Sequence, residues 1–421
     1  MGHSIDEGDP VISLEEVRRN ILERIPVLSS EEVDLQLATG RILADPVQST
    51  DAIPPFDNTA MDGFVVKSED IASASEDQPV TLPVSAIIEA GMPGDQPLVA
   101  GEAMRIYTGA VIPPGGTAVV PFEICQQAGR EAVTFTRPAA EGAHIRRRGE
   151  DVVQGGEVLS AGTRLSPAAI GLLASVGATR VSVYRSPRVA VHSSGNELVP
   201  IDSPLTPGKI RNSNLYSLCA RLKAWGADPV PRPVLSDDLD SIRKGLQETL
   251  AEKPDAIITT GGISAGDLDY IREVAKEMGE DVHIRKVAMK PGKPLVDGTI
   301  GGIPFFGLPG NPAACLVSFE MFVRPALARM EGRKDGIPPM RSGVLAEGCH
   351  LGPGQRLRWL RGRALPDPKG GPDQIDLPTG QGSHLLTGFA TANCLVHVPA
   401  SETELVAGSK IEYWSLTEEE A

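Results

Sequence analysis

Glycines and acidic residues occur together in the segment TTGGISAGDLDYI, residues 259–271. The apolar residues before it predict a buried strand that ends near Thr260, and the glycines predict a loop whose backbone a ligand can approach closely. Free backbone N–H groups in such a loop bind the oxygens of a phosphate or a similar anion. The segment therefore predicts an anion site, with candidate contacts at Gly261, Gly262, Ser264 and Gly266.

Two further segments, SSGNELVP and GLPGNPAA, also follow predicted strands. In the second, Asn311 suits a helix N-cap and Pro312 the first turn, so that backbone N–H groups face outward. Ligands of an open parallel sheet bind beyond the carboxyl ends of its strands, where we expect the three loops to meet. One such loop is more often a plain tight turn, but three favour a ligand site. The added candidates are Ser194, Gly195, Pro309, Gly310 and Asn311.

Acidic residues belong to the same predicted sheet edge: Glu197, Asp237, Asp238, Asp267 and Asp269. Carboxylates repel a phosphate unless a hard cation lies between them, and Mg²⁺ that bridges carboxylate and phosphate oxygens is the usual arrangement. An aspartate before a helix is also a common N-cap, and for Asp238 and Asp267 we weigh the two roles equally. The sequence thus predicts a cation site and leaves its ligands open.

Basic residues follow in RKVAMKPGKP, which contains Lys286, Lys290 and Lys293. In one extended strand Lys286 and Lys290 would share a face, because they are an even number of residues apart. The lysine ammonium is a compact charge that suits a small oxyanion. A lone lysine is usually solvated surface, whereas this spacing around a Pro-Gly turn favours a binding role.

A second set of polar residues lies earlier in the chain. NTAMDGF places Asp62 in a turn, YTGAVIPPG places Thr108 before a glycine, and HIRRRGEDV sets Arg146 and its neighbours beside Asp151. By composition alone such a charged run is more often a solvated turn than a site.

The pattern of elements predicts several domains. SLEEVRRNILERI, with Ser13 as its cap, and SPAAIGLLASVG, with Ser166 as its cap, both predict helices. Short predicted strands fill residues 47–148, strands alternate with helices from Arg188, and strand-like segments return from about Gly336. The alternation predicts an open, mostly parallel sheet, and the last segments predict a small β-barrel or sandwich.

Bulk properties exclude several classes of protein. The chain of 421 residues carries a net charge of −15 and has 4% aromatic residues, which argues against a nucleic-acid binder. Its five cysteines are scattered singly, so neither a zinc cluster nor a disulfide framework is predicted. Neither GxxxxGK[ST] nor GxGxxG occurs, which excludes a P-loop and a dinucleotide fingerprint. With no signal-like or membrane-length apolar run, we expect a cytoplasmic protein away from membranes.

Taken together, the motifs resemble the molybdopterin molybdotransferase family, which includes bacterial MoeA proteins and the gephyrin E-domain. They are PPFDNTAMDGF, TGAVIPPG, IRRRGEDV, SSGNEL, RNSN, TTGGISAGDLDY, KPGKP, GLPGNPAA and QGSHLL, in the family's order over residues 50–385. The resemblance implies a multidomain α/β plus β fold with a three-layer, doubly wound, mostly parallel sheet domain at 187–335. It also implies an elongated linking domain (1–50 and 149–186), an inserted β-rich domain (51–148) and a C-terminal β-barrel (336–421).

The resemblance also implies an activity and a set of site residues. Molybdenum from molybdate would enter adenylylated molybdopterin, with release of AMP and a requirement for Mg²⁺. Catalytic roles are implied for Asp62, Asp151, Glu197, Asp238, Asp269, Lys286 and Lys290, and Mg²⁺ ligands at Glu197, Asp238 and Asp269. Substrate contacts are implied for Thr108, Arg146, Lys293, Arg361 and Ser383. The family is a homodimer with a shared active site, and other cofactor-biosynthesis proteins are compatible partners.

Three alternatives stay open at this point. The sheet domain alone is similar to proteins that adenylylate molybdopterin, although the extra β-rich domains and the lysines favour insertion. A scaffold like gephyrin is a second alternative, but its function would not need the charged residues. Tungstate could replace molybdate, because the two oxyanions have nearly the same size and charge.

Overall fold

A computed structural model describes residues 11–126, 129–263, 270–333, 337 and 339–417. Contacts between Cα atoms divide the chain into two compact units. The first unit comprises the chain up to Glu31, Gly40–Ala44 and everything from Val183 onward, and the second comprises Glu32–Thr39 and Asp45–Ser182. The four predicted domain boundaries stay a prediction.

The first unit is built on a sheet of seven described strands. From one edge to the other these are Val11–Ile12, His283–Val287, Pro294–Ile300, Ile303–Leu308, Ala256–Thr260, Arg188–Ser193 and Asp228–Pro231. Only the strand Pro294–Ile300 pairs with its neighbours in antiparallel fashion. The predicted mostly parallel sheet is therefore confirmed.

Helices cover both faces of this sheet. One face packs against Leu14–Arg24, Ser213–Ala224 and the helical run Pro312–Ser318, Phe319–Val323 (π-helical) and Arg324–Met330. The other face packs against Leu239–Ala251 and Tyr270–Met278. The predicted caps Ser13 and Asn311 stand at their helix starts. This arrangement is the three-layer, doubly wound domain expected from the sequence.

A small β-barrel forms the C-terminal part of the first unit. Its strands are, in order, Met289–Lys290, Leu357–Leu365, Asp373–Asp376, Arg341–Leu345, Lys410–Ser415 and Cys394–Val398. Pairing of Cys394–Val398 back onto Leu357–Leu365 closes the last five into a barrel. The short pair Cys349–His350 with Glu404–Leu405 and the helix Thr387–Ala390 complete it. The predicted C-terminal barrel is confirmed.

The second unit is rich in short strands. Its main sheet has the order Ala118–Pro121, Gly63–Val66, Ala103–Ile106, Val80–Ile88, Ala132–Phe135 and Cys125–Gln126. Asn58–Thr59 pairs with Ile145–Arg146, and Val47–Gln48 pairs with Glu157–Leu159. Ser166 caps the helix Pro167–Ser175, as predicted, and accepts a hydrogen bond from Ala169 N.

One local prediction is wrong. Lys286 and Lys290 do not lie on one strand, because the first strand ends at Val287 and Met289–Lys290 belongs to the barrel. The backbone of Lys286 pairs with Pro294, whereas that of Lys290 pairs with Arg358. A barrel strand thus supplies Lys290 with a pairing partner that the local sequence does not reveal. The two lysines therefore do not share a strand face.

Two further observations concern the whole chain. All five cysteines are free thiols. Within the described ranges, no helix is long and apolar enough to cross a membrane.

Candidate functional site

A cavity of about 1360 Å³ opens in the first unit between the sheet domain and the barrel. One wall consists of the loops that follow the parallel strands, and the other consists of barrel residues. Ligand pockets commonly measure about 300–1000 Å³, so this cavity has room for a large ligand or for two small ones. The site therefore lies where open parallel sheets bind ligands.

The three predicted loops meet in this cavity. The predicted residues that line it from the sheet side are Ser194, Gly195, Glu197, Gly261, Gly262, Pro309, Gly310 and Asn311. Four residues of the central loop, Ser264, Gly266, Asp267 and Asp269, lie outside the described residues. The convergence inferred from the strand ends is observed, and what the loops bind stays a prediction.

Close approach of backbones explains the glycines. Gly261 has φ +91, and a Cβ there would lie 2.5 Å from the carbonyl oxygen of Ser194. A Cβ on Gly310 would lie 3.4 Å from the Cα of Gly261, so the backbones of the two loops approach each other closely at these glycines. The floor of the cavity is thus made of peptide groups, which can approach a bound anion directly.

The acidic wall contains Glu197 and Asp237. Asp237 accepts hydrogen bonds from Ser194 Oγ and Asn196 N, both at 2.9 Å, and lines the cavity. Asp238 does not line it, because its carboxylate accepts from Ser241 N at 2.7 Å and caps the helix Leu239–Ala251. The helix cap, one of the two roles considered for Asp238, is the one observed, and its predicted metal role is untested.

The donors for a cation are oxygen atoms. The part of the chain that the structure describes contains no group of three His, Cys, Asp or Glu that could hold a metal ion. Mg²⁺, however, is usually held by one or two carboxylates together with substrate phosphates, and Glu197 and Asp237 supply such carboxylates to one cavity. The residues present therefore fit an ion shared with a phosphorylated ligand.

The lysines separate into two environments. Lys290 and Lys293 are exposed and line the cavity, whereas Lys286 is half-buried and does not. Gly292 lies between the two cavity lysines with φ +96, and a Cβ there would come within 2.7 Å of Ser318 Oγ. The tight contact of this turn with the helix places both ammonium groups at the cavity.

Arg361 and Ser383 take different positions on the barrel side. Ser383 lines the cavity and accepts, at its carbonyl, from Ala313 N at 2.9 Å. The Arg361 side chain is fully buried and donates to the carbonyl oxygens of Gly380 (2.8 Å), Gln381 (3.1 Å) and Gly382 (3.2 Å). Burial lowers the pKa of this guanidinium. Arg361 thus supports the loop that carries Ser383.

Sequence reasoning missed several residues of the cavity wall: Arg211, Asn214, His350, Arg356, Arg358 and His384. Arg356 donates to the carbonyl oxygen of Met289, and Arg358 donates to those of Glu402 and Gly352. These acceptors are neutral, so the two arginines keep their positive charge on the barrel wall, which also carries the carboxylate of Glu347. The motifs RNSN and QGSHLL, which contain Arg211, Asn214 and His384, were a signal for these three residues.

The predicted residues of the second unit form a set of their own. Asp62 accepts from both Thr108 N and Thr108 Oγ1 at 2.7 Å, and these bonds, the backbone bond first, hold the pKa of Asp62 below its ordinary value. Arg146 pairs with Asn58 in a short ladder, and Asp151 is an exposed residue whose N–H donates to the carbonyl of Ile53. The structure brings Asp62 and Thr108 together, while the roles of all four residues stay predictions.

Fold and cavity define a class: an α/β protein with a ligand-sized cavity beyond the carboxyl ends of parallel strands and a barrel as the second wall. Three family models match successive parts of the chain: the MoeA N-terminal region (domains I and II) over 12–177, a probable molybdopterin-binding domain over 190–329, and the MoeA C-terminal region (domain IV) over 343–416. The chain belongs to the MoeA family.

Similar proteins cover nearly the full length. A molybdopterin molybdenumtransferase of Nostoc sp. is 37% identical over 96% of this chain and 93% of its own. Molybdopterin molybdenumtransferase 2 of Mycobacterium tuberculosis is 38% identical over 96% of this chain and 100% of its own. The crystal structure of a molybdopterin biosynthesis MoeA protein from Pyrococcus horikoshii matches at 32% identity with a TM-score of 0.76, covering 96% of this chain and 98% of the other.

Proposed function

We propose that this protein is a molybdopterin molybdotransferase, which inserts molybdenum from molybdate into adenylylated molybdopterin and releases AMP. The observation that carries the proposal is the cavity, in which glycine loops and carboxylates face lysines and arginines. A phosphoanhydride linked to a pterin needs backbone donors and a cation, and molybdate needs positive charge. Both requirements are met within one cavity, in a chain whose relatives are named for this transfer.

The sheet-side wall binds the phosphoanhydride. The backbone at Gly262 and Gly310 approaches its oxygens, because no side chain separates these peptide groups from the cavity, whereas Gly261 N already donates to the carbonyl of Leu308. Bound Mg²⁺ would supply positive charge to stabilise the phosphate oxygens. Glu197 and Asp237 would hold it, together with the predicted ligand Asp269, and Asp238 keeps the helix cap.

The barrel-side wall binds molybdate. Lys290 and Lys293 are exposed to the cavity, Ser383 offers a hydroxyl, and Arg356 adds a charge whose partner is only a carbonyl. Molybdate is a dianion, and when bound there it would face the dithiolene of adenylylated molybdopterin. The phosphoanhydride of the same substrate would be bound at the opposite wall. Water cleaves the phosphoanhydride and AMP leaves; the two dithiolene sulfurs replace two molybdate oxygens, which take up protons and leave as water, and the site then holds the completed cofactor.

We further propose that the active enzyme is a homodimer in which Asp62, Thr108, Arg146 and Asp151 of one subunit serve the site of the other. The charges of Asp62, Arg146 and Asp151 and the contact of Asp62 with Thr108 support a binding role.

The direct test supplies adenylylated molybdopterin, Mg²⁺ and molybdate, and measures AMP release. We expect release to depend on molybdate and Lys290→Ala to lower kcat/KM by at least about tenfold, since one cavity charge is lost. Lys244→Ala is the matched control, because Lys244 is an exposed lysine outside the cavity.

AMP release that ignores molybdate, or a Lys290→Ala enzyme equal to the control, would contradict the proposal. Consumption of ATP with free molybdopterin would instead indicate an adenylyltransferase. Omission of Mg²⁺ is a separate arm, in which we expect AMP release to stop and to return when Mg²⁺ is added.

A further inference from the structure

Asn214 lies at the start of the helix Ser213–Ala224 and lines the cavity. Its side-chain amide donates to two acceptors, Thr260 Oγ1 at 2.9 Å and the carbonyl oxygen of Gly310 at 2.8 Å. Thr260 ends the strand before the Gly261 loop, and Gly310 belongs to the neighbouring loop. One carboxamide therefore joins the two loops that form the cavity floor.

The hydrogen-bond network fixes the orientation of this amide. The carbonyl of Gly310 can only accept, so the group facing it must be the Asn214 NH₂. The Thr260 hydroxyl donates its one hydrogen to the carbonyl of Pro309 at 3.0 Å, so it accepts from Asn214. Both amide hydrogens are thus used, and an isosteric carboxylate could not replace them.

Buried neighbours hold Asn214 in place. Asn212 caps the helix by accepting from Leu215 N at 3.3 Å, and its Oδ1 also accepts from Ser193 Oγ at 2.9 Å. Ser193 and Asn212 are 1% and 4% exposed. The helix start that carries Asn214 is therefore fixed to the strand Arg188–Ser193 before any ligand binds, which lowers the entropic cost of the clamp.

Apart from the Asn214 amide, the two loops are joined at their bases, where the Thr260 hydroxyl donates to the carbonyl of Pro309 at 3.0 Å. Gly261 N donates to the carbonyl of Leu308 at 3.2 Å, and Gly261 and Gly310 meet through backbone. Glycine in both loops permits this contact but also leaves the backbone conformationally free. A side-chain bridge such as the Asn214 amide holds the two loops at a fixed spacing.

We propose that Asn214 is a positioning residue, which holds the Gly261 and Gly310 loops at the spacing at which both reach the same phosphoanhydride. The proposal rests on the function proposed above. Loss of the clamp allows the two loops to move independently, so that the substrate is bound in a less productive geometry. Asn214 acts here through the loops and not through contact with the reacting atoms.

The matched control is Asn393, a second amide that bridges backbone. It accepts from Ala364 N at 2.7 Å, donates to the Ala364 carbonyl at 2.9 Å, and lies in the barrel outside the cavity. Hydrogen exchange is measured by mass spectrometry on residues 258–263 and 306–314 of the full chain. AMP release is followed in the same preparations.

In Asn214→Asp and Asn214→Ala we expect hydrogen exchange in both segments to be about tenfold faster, because two hydrogen bonds are lost. We expect kcat/KM for AMP release to fall by at least about tenfold. Asn393→Asp and Asn393→Ala should change neither quantity, even if they lower Tm. Thr260→Val removes one acceptor of Asn214 together with the Thr260 donation to Pro309, and should give at least the same increase in exchange if the Asn214 variants fold poorly.

Unchanged exchange in both segments, in an Asn214 variant or in Thr260→Val, overturns the clamp. Equal effects of the Asn214 and Asn393 variants on kcat/KM overturn it as well. If the unsubstituted protein shows no molybdate-dependent AMP release, the proposed function fails, and exchange still decides whether the clamp exists.

Discussion

At the scale of single residues, adjacent aspartates have different tasks. Asp237 faces the cavity and Asp238 caps a helix, although nothing in their composition separates them. The difference follows from geometry, because the residue that directly precedes a helix directs its carboxylate at the free N–H groups of the first turn. The neighbouring Asp237 does not cap the helix, and it lines the cavity.

Substitution of these two aspartates should therefore separate metal affinity from stability. Asp237→Asn should raise the Mg²⁺ concentration needed for half-maximal AMP release by about tenfold, because one carboxylate charge is lost. Asp238→Ala should instead lower the free energy of unfolding by about 1 kcal/mol through loss of the cap. A Mg²⁺ titration and a denaturant melt of both variants check this. Similar Mg²⁺ curves for the two variants would argue against Asp237 as a ligand.

Asp62 provides a prediction about pH. Its two hydrogen bonds from Thr108 favour the carboxylate, so its pKa in the folded protein lies below the unfolded value of about 3.9. With a lowered folded pKa, the stabilising contribution is complete above the unfolded pKa and is lost as pH falls through the folded pKa. NMR titration should show this low value, and Thr108→Val, which removes the hydroxyl donor, should raise it. An unchanged pKa in that variant would contradict the assignment.

At the scale of elements, the turn KPGKP shows how a short segment depends on its surroundings. Gly292 has φ +96 and packs against Ser318, so two separate constraints exclude a side chain. The turn also returns the chain from the barrel strand Met289–Lys290 to the sheet strand Pro294–Ile300. The positions of Lys290 and Lys293 therefore depend on the glycine that lies between them.

Gly292→Ala should displace the turn, because both strain and steric overlap oppose the new methyl group. We expect a loss of about 2 kcal/mol in unfolding free energy and at least about a tenfold fall in kcat/KM. Gly302→Ala is the control, since Gly302 also has a positive φ, +78, but a Cβ there would meet nothing within 4 Å. Denaturant melts and AMP-release kinetics compare the two. Equal loss of kcat/KM in both variants would count against a specific role of the turn.

At the scale of the whole molecule, the homodimer proposal has a test by complementation. Asp62→Ala and Lys290→Ala should each abolish most activity as homodimers. In an equal mixture that has exchanged subunits, half of the dimers contain one chain of each variant. If the site is shared, each mixed dimer has one intact site out of two. About a quarter of the wild-type rate should therefore return. Light scattering verifies the dimer. No recovery after exchange would indicate that the two residues serve sites within one chain.

The amino-acid sequence by itself determined the local features of this protein. Apolar runs followed by glycines marked the strand ends, and Ser13, Ser166 and Asn311 marked helix starts, because turn and cap chemistry depends on neighbouring residues. The strand-helix alternation predicted the parallel sheet and so the edge at which the loops meet. Short sequence motifs also indicated the family.

Tertiary structure alone decided which side chains reach the cavity. It separated Lys286 from Lys290 by giving the second a partner strand in the barrel, and it turned Arg361 inward onto three carbonyls. It also placed Asn214 between two loops that are distant from it in sequence. Each of these outcomes depends on hydrogen-bond partners supplied from far along the chain, and local sequence periodicity carries no information about such partners.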